Sequence, residues 1–503
     1  MPVSPNSQPG SLPRIEPPSL VQAGDATFGI ASDAGGSLVI QAPTSSSVLD
    51  QFEGSREHSG ASTTLTAQRT ATNATALRQV FPWLQPVPLG LRTSIGFGDR
   101  LGLATPGHIR AMRAAGGNLA PIFAQQSIRE MVRTNRTAQE IVDAAMWDVF
   151  AHGWRSGYGA DADHLKTPAD IDTCVAAGYT FYTFDPSDHV ASAPPDLNPT
   201  DLATRFESLP WDELETSAQE TRNRYAGRTF DIEGHQIVLD DAAVMRASIK
   251  YGRAIAHVRL LTDHLRASLP STACEIEISV DETDDPTSPA EHIFIASELQ
   301  RAGVPWVSLA PRFTGHFEKG VDYIGDIDAF TSDFAIHAAI ARHFGPYKLS
   351  LHSGSDKFSI YDITARLTRD CVHLKTAGTS FLEALRVIAG YDPDVFRRLY
   401  TLARTRFETD RASYHISGRL DHAPEESSLA DAELPGLLDQ FDARQILHVT
   451  FGSQLTSNDP VTGLAFRDEI DRVLRDQPEA YAATLEQHFL RHLQPFAAHS
   501  TGQ

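Results

Sequence analysis

The chain of 503 residues carries 43 Lys and Arg against 64 Asp and Glu, a formal net charge of −21. That balance excludes the basic face of a general nucleic-acid binder and the polybasic surface that clings to anionic lipid. With 41% hydrophobic residues, no apolar run near the roughly 18 of a membrane span, no secretory leader in residues 1–16 and only 3 scattered cysteines, the chain reads as a soluble cytoplasmic protein with buried thiols.

Residues 1–80 form a Pro/Ser/Thr-rich tail with a small appendage, in which residues 27–41 suggest a hairpin turning at Asp33–Gly36. From Leu91 short β-rich runs alternate with longer amphipathic segments. Residues 93–98 make a first strand, followed by a helix that opens at Pro106 and stops at Gly116 and Gly117. Residues 120–125 make a second, with a helix from about Thr137. Residues 156–163 and 179–185 are the third and fourth, and an insertion of about residues 186–240 follows, with a small hairpin at 227–239. A long helix over residues 241–268 leads to a fifth strand at 274–281. Residues 305–311, 347–352 and 371–376 complete the set. Eight strand–helix units predict an α/β fold, a (β/α)8 TIM barrel over residues 81–450, with a helical C-terminal extension over 451–503. A doubly wound sheet is the alternative, but it would not need eight units.

Such barrels place their chemistry at the C-terminal ends of the strands. Three histidines, His164, His316 and His352, fall just after three different strands. Converging imidazoles suit a divalent ion, and nitrogen ligands favour zinc, nickel, cobalt or manganese over magnesium. His108, His257, His292 and His337 fall within helical segments and read as structural. On the fifth strand Glu275 and Glu277 alternate with Ile276 and Ile278, which turns both carboxylates inward. Glu277, nearer the rim, reads as an acid/base group or fourth ligand, and Glu275 as a salt-bridged structural carboxylate. The run His352–Lys357, with Ser353, Asp356 and Lys357, and the run from Lys375 to Ser380 resemble loops that cradle an anion. Arg312 can fork onto a carboxylate.

The segments GFGDRLGLATPGHIRAM, YGADADHLKT, EISVDETDDPTSPAEHIFIASEL, LAPRFTGHFEKGVDYIGD and LSLHSGSDKFS resemble the tagaturonate epimerase family, over roughly residues 80–450. The resemblance implies a divalent-metal-dependent isomerase that interconverts tagaturonate and fructuronate, with variants acting on tagatose and fructose. Carried over residue by residue, it implies Asp163 as proton acceptor, His164, His316 and His352 as metal ligands, and Glu277 as proton donor. The two sugar acids differ at the carbon β to the ketone, whose hydrogen is not acidic, so retro-aldol cleavage and re-addition is the route expected. Arg312, Lys357 or Lys375 would then hold the carboxylate. The partner implied is a small sugar acid or ketose, with no nucleic acid or membrane and with a homo-oligomer left open. A class II aldolase that releases its fragments, and a ketose epimerase or isomerase acting at the α carbon, are the competing enzymes. A barrel that binds a sugar acid without turnover is the non-enzymatic one.

Overall fold

The computed structural model describes residues 15–32, 36–191, 197–270, 273–283 and 285–499. They divide into two compact units, Met1–Gln85 with Asp143–Gly157, and Pro86–Val142 with Tyr158–Gln503.

The first unit is built on five antiparallel strands, Val21–Ala23, Ala26–Ile30, Leu38–Pro43, Ser55–Ser59 and Ser62–Ala67, with the last two in exchanged order along the sheet. The expected hairpin is the pairing of Ala26–Ile30 with Leu38–Pro43, while most of its turn, residues 33–35, lies outside the described residues. Residues 55–67, expected only as part of the appendage, form a hairpin of their own, in which Thr63, Leu65 and Ala67 alternate inward. Residues 143–157 join this unit because Asp143 pairs with Arg78 at 2.6 Å and Phe150 packs on Phe81 with ring centroids 5.9 Å apart.

The second unit is the barrel. Its strands are β1 (Ser94–Gly98), β2 (Ala120–Ser127), β3 (Gly159–Leu165), β4 (Phe181–Phe184), β5 (Glu275–Val280), β6 (Ser308–Pro311), β7 (Lys348–Leu351) and β8 (Val372–Lys375). All eight run parallel, and β8 pairs back onto β1 to close the barrel as the sequence predicts. Two of the helices start in capping boxes: the side chains of Thr167 and Ser288 accept N–H bonds ahead of Pro168 and Pro289. One helix, Ile128–Thr134, was not expected. Ser127 caps it and Glu130 closes the box, but its seven residues are too short to show a helical period.

The barrel floor is polar and paired. Glu275 accepts the backbone N–H groups of Leu89 and Gly90, tying β5 to the segment before β1. Lys348 donates to Ser94 Oγ at 3.0 Å, and Ser94 meets His373 Nδ1 at 2.8 Å. Beyond the barrel, the helices Phe441–Val449, Phe451–Thr456, Phe466–Asp476 and Pro478–His499 make up the C-terminal part of this unit. Among the described residues no helix is long and apolar enough to cross a membrane.

Candidate active site

A cavity of about 450 Å³ opens at the C-terminal ends of the strands, and Asp163, His164, Arg312, His316, His352, Ser353 and Lys375 all line it. β3 shows why both members of the Asp–His pair can reach it. In a regular strand Asp163 and His164 would face opposite sides. The register between β3 and β4 slips between Ala162 and Leu165, so Asp163 and His164 share the span of one partner residue, Thr183. His164 takes the left-handed conformation, φ 56°, that such a bulge requires, and this turns its ring back beside Asp163. Its Nδ1 lies 2.7 Å from Asp163 Oδ1.

His352, directly after β7, is held in the same manner. Its Nε2–H donates to Glu277 Oε1 at 2.7 Å, and its Nδ1 lies 3.2 Å from Asp281 Oδ1 without a well-aligned hydrogen bond. The two imidazole rings stand 5.0 Å apart. His164, Asp281 and His352 each offer a ligand atom within 4.8 Å of the others. When Asp163 and Glu277 each accept one ring N–H, the other nitrogen of each ring keeps its lone pair, His164 Nε2 and His352 Nδ1. Carboxylates that orient imidazoles in this way are the usual backing of a metal-binding histidine. The donor set therefore fits a divalent ion, and the orphaned Nδ1 of His352 is the atom that marks it. His316 stands apart from this trio. It is exposed on the loop after β6, where its backbone bridges to Ile324.

Behind the imidazoles lies one buried cation. Lys375 Nζ, at the end of β8, is 2.5 Å from Asp163 Oδ1, 2.8 Å from Glu277 Oε1 and 3.2 Å from Asp161 Oδ2. Thr183 Oγ1 joins it at 2.7 Å. Although burial opposes its charge, the three carboxylates hold Lys375 protonated, above the usual lysine range. In turn, against the burial that would raise them, Lys375 and the histidines keep Asp163 and Glu277 ionised, well below the usual carboxylate range. Burial pushes Asp161 the other way, up to about 7. Burial and Lys375 disfavour a charged His352, but Asp281 and Glu277 outweigh them and raise it to about 10. The cluster is an excess of carboxylate that attracts positive charge, proton or metal.

Several expected residues sit behind this surface. Glu277 is fully buried, with Oε2 accepting from Ser308 at 2.6 Å, and it reaches the cavity only through His352 and Lys375. Lys357 does not line the cavity. Its ammonium donates to the carbonyls of Glu318, Val321 and Ser355 at 2.8, 2.5 and 3.0 Å, and burial lowers its pKa to about 7. Asp356 pairs with Arg444 at 3.1 Å and His488 at 2.8 Å, which anchors the loop after β7 to the C-terminal helices. Asp99 accepts the N–H groups of Leu101, Gly102 and Ala104, and Arg100 pairs with Glu130 at 2.6 Å. Arg312 does line the cavity, and its Nε is buried without a hydrogen-bond partner among the described residues. Sequence reasoning gave no role to Asp161, Thr183, Asp281 or Lys319. Asp161 and Asp281 stood at strand ends and were open to it, whereas Lys319 lies beyond any strand.

The comparisons with known proteins meet this geometry. The model of the tagaturonate epimerase family matches residues 17–496. The chain belongs to that family. A tagaturonate/fructuronate epimerase of Thermotoga maritima is 42% identical over 426 residues, 85% of each chain. Crystal structures of a fructuronate-tagaturonate epimerase from Cohnella laeviribosi, native and in complex with glycerol, superpose with a TM-score of 0.89 at 36% identity, covering 96% of each chain. The resemblance seen in the sequence is borne out, and with it the class of enzyme, an epimerase among the isomerases.

Proposed function

We propose that the protein interconverts tagaturonate and fructuronate at a divalent ion, by breaking and remaking the bond between the carbons α and β to the ketone. The observation that carries this reading is the pair His164 and His352, each turned by a buried carboxylate so that its second nitrogen faces the cavity beside Asp281. His164, His352 and Asp281 would hold the ion, while His316 lines the same cavity from the exposed loop after β6, apart from this trio. Zinc, nickel, cobalt or manganese suits such a donor set. An ion held there would supply Lewis-acid stabilisation of the negative charge that cleavage leaves on the ketone fragment.

The chain's own groups do the rest. Asp163 Oδ1 is occupied by Lys375 and His164, which leaves Oδ2 to take the proton of the β-hydroxyl as that carbon becomes an aldehyde. The electron pair of the broken bond passes to the ketone fragment. The aldehyde turns, the bond reforms on its other face, and Asp163 returns the proton. The low proton affinity of Asp163 favours that return. Lys375, touching Asp163 and Glu277 together, keeps both carboxylates ionised and fixes Asp163 for that transfer. Arg312 holds the substrate carboxylate and keeps the aldehyde fragment in place.

Turnover of tagaturonate in deuterium oxide, with metal content measured in parallel, tests the scheme. The product should carry no deuterium at the inverted carbon, because its hydrogen never leaves. Arg312→Ala should release a trace of the three-carbon aldehyde acid, tartronate semialdehyde. Deuterium at the inverted carbon, or full turnover after removal of all metal, would overturn the reading.

A further inference from the structure

The loop after β6 carries a cation that the scheme above leaves unused. Lys319 lines the cavity, and among the described residues no carboxylate or carbonyl pairs with its ammonium group. Its neighbours in the cavity are different. Arg100 is paired with Glu130 at 2.6 Å, Lys166 with Asp188 at 2.8 Å, and Lys375 with three carboxylates. Arg129 stands 3.5 Å from Glu282. Among the described cations that line the cavity only Arg312 shares the condition of Lys319, and both belong to the one loop.

The backbone that presents Lys319 is held at four successive carbonyls. Lys357 Nζ takes those of Glu318 and Val321 at 2.8 and 2.5 Å, Gln445 Nε2 takes that of Lys319 at 3.3 Å, and Arg444 Nε takes that of Gly320 at 2.6 Å. Gln445 also donates to Glu318 Oε2 at 2.9 Å, so the acidic neighbour of Lys319 is engaged elsewhere. Three buried or half-buried side chains from two other parts of the chain thus fix a segment whose own cation has no partner. An ammonium partly withdrawn from bulk water, as that of Lys319 is, favours an anion beside it. A rigid support lowers the entropy lost when that anion arrives.

We propose that Lys319 reads the substrate's carboxylate, with Arg312, and so sets the preference for a hexuronate over the neutral ketose of the same skeleton. The proposal rests on the reaction assigned above and adds the residue that selects its substrate class. Burial and the neighbouring charge of Arg129 lower the proton affinity of Lys319, while Glu130, Asp281 and Asp163 act in the opposite direction. A carboxylate bound beside it would add to that second group.

The test compares two ligands that differ only at the terminal carbon, fructuronate and fructose, in NMR titrations of the metal-loaded enzyme. Lys319→Met keeps the length of the side chain and breaks no contact of the ammonium. It should weaken fructuronate about 10–100-fold, the loss of one charge-assisted hydrogen bond, and leave fructose unchanged within about twofold. Unchanged fructose binding also reports that the variant is folded. Lys319→Arg should retain most of the preference. Equal weakening of both ligands, or an unchanged fructuronate affinity, would overturn the proposal. Wild-type enzyme that binds fructuronate but does not turn over tagaturonate would sink the reaction assignment, while the contrast between the two ligands would still decide the role of Lys319.

Discussion

Lys375→Met should destabilise the protein by about 3–5 kcal/mol at neutral pH, because the substitution leaves buried carboxylates without their cation. Asp161, Asp163 and Glu277 all lie within 3.2 Å of that one nitrogen. Turnover should fall by about 10²–10³-fold, the usual cost of losing one positioned donor in an enclosed site. Arginine should not rescue the variant, since the guanidinium is larger than the space that Thr183 and three carboxylates leave around the ammonium.

The pH dependence of this defect has a definite sign. In the wild type Asp163 and Glu277 are held below their unfolded values, so they contribute stability above the ordinary carboxylate range and lose it as pH falls. Without Lys375 burial dominates and raises the same groups, as it already raises Asp161 to about 7. A group raised on folding costs stability as pH climbs from its unfolded to its folded pKa. The gap between variant and wild type should therefore narrow on acidification. Denaturant unfolding of both proteins at pH 5 and pH 8 checks this. A gap that stays constant across that range would mean that Lys375 does not compensate these carboxylates.

The barrel was legible because its strands obey a period of two and its helices open on Ser, Thr and Pro. The alternation of Glu275, Ile276, Glu277 and Ile278 alone turns β5 the right way round. What alternation cannot give is an interruption of itself. His164 would point outward in a regular strand, and only the bulge with its left-handed backbone brings it beside Asp163. Lysines expose a second limit. Lys357 follows a barrel strand and Lys375 ends one, and the two read alike, yet one donates to backbone carbonyls and the other to carboxylates. Lys319 lies eight residues past the end of β6, and its setting depends on Arg444 and Gln445, more than a hundred positions further along the chain. No local pattern encodes a contact of that range.

Removal of either imidazole of the central pair, His164→Ala or His352→Ala, should leave the protein without bound metal and without turnover. The reason is geometric. Two nitrogens and the Asp281 carboxylate already lie within 4.8 Å of one another, so each would supply a third of the proposed site. Glu277→Gln should be milder, about 10–100-fold in metal affinity, because it disturbs the orientation of His352 and not the ligand itself. The same range is expected for His316→Ala, whose ring lines the cavity from an exposed loop, apart from a pair that stands without it. Metal content after dialysis against a graded series of chelator concentrations separates these cases. The order should be wild type, then Glu277→Gln and His316→Ala, then the two alanine variants of the pair. If His316→Ala were as empty of metal as His352→Ala, the loop after β6 would have to fold inward on the ion. Arg312 and Lys319, which ride on that loop, would then be drawn toward the substrate by the same movement.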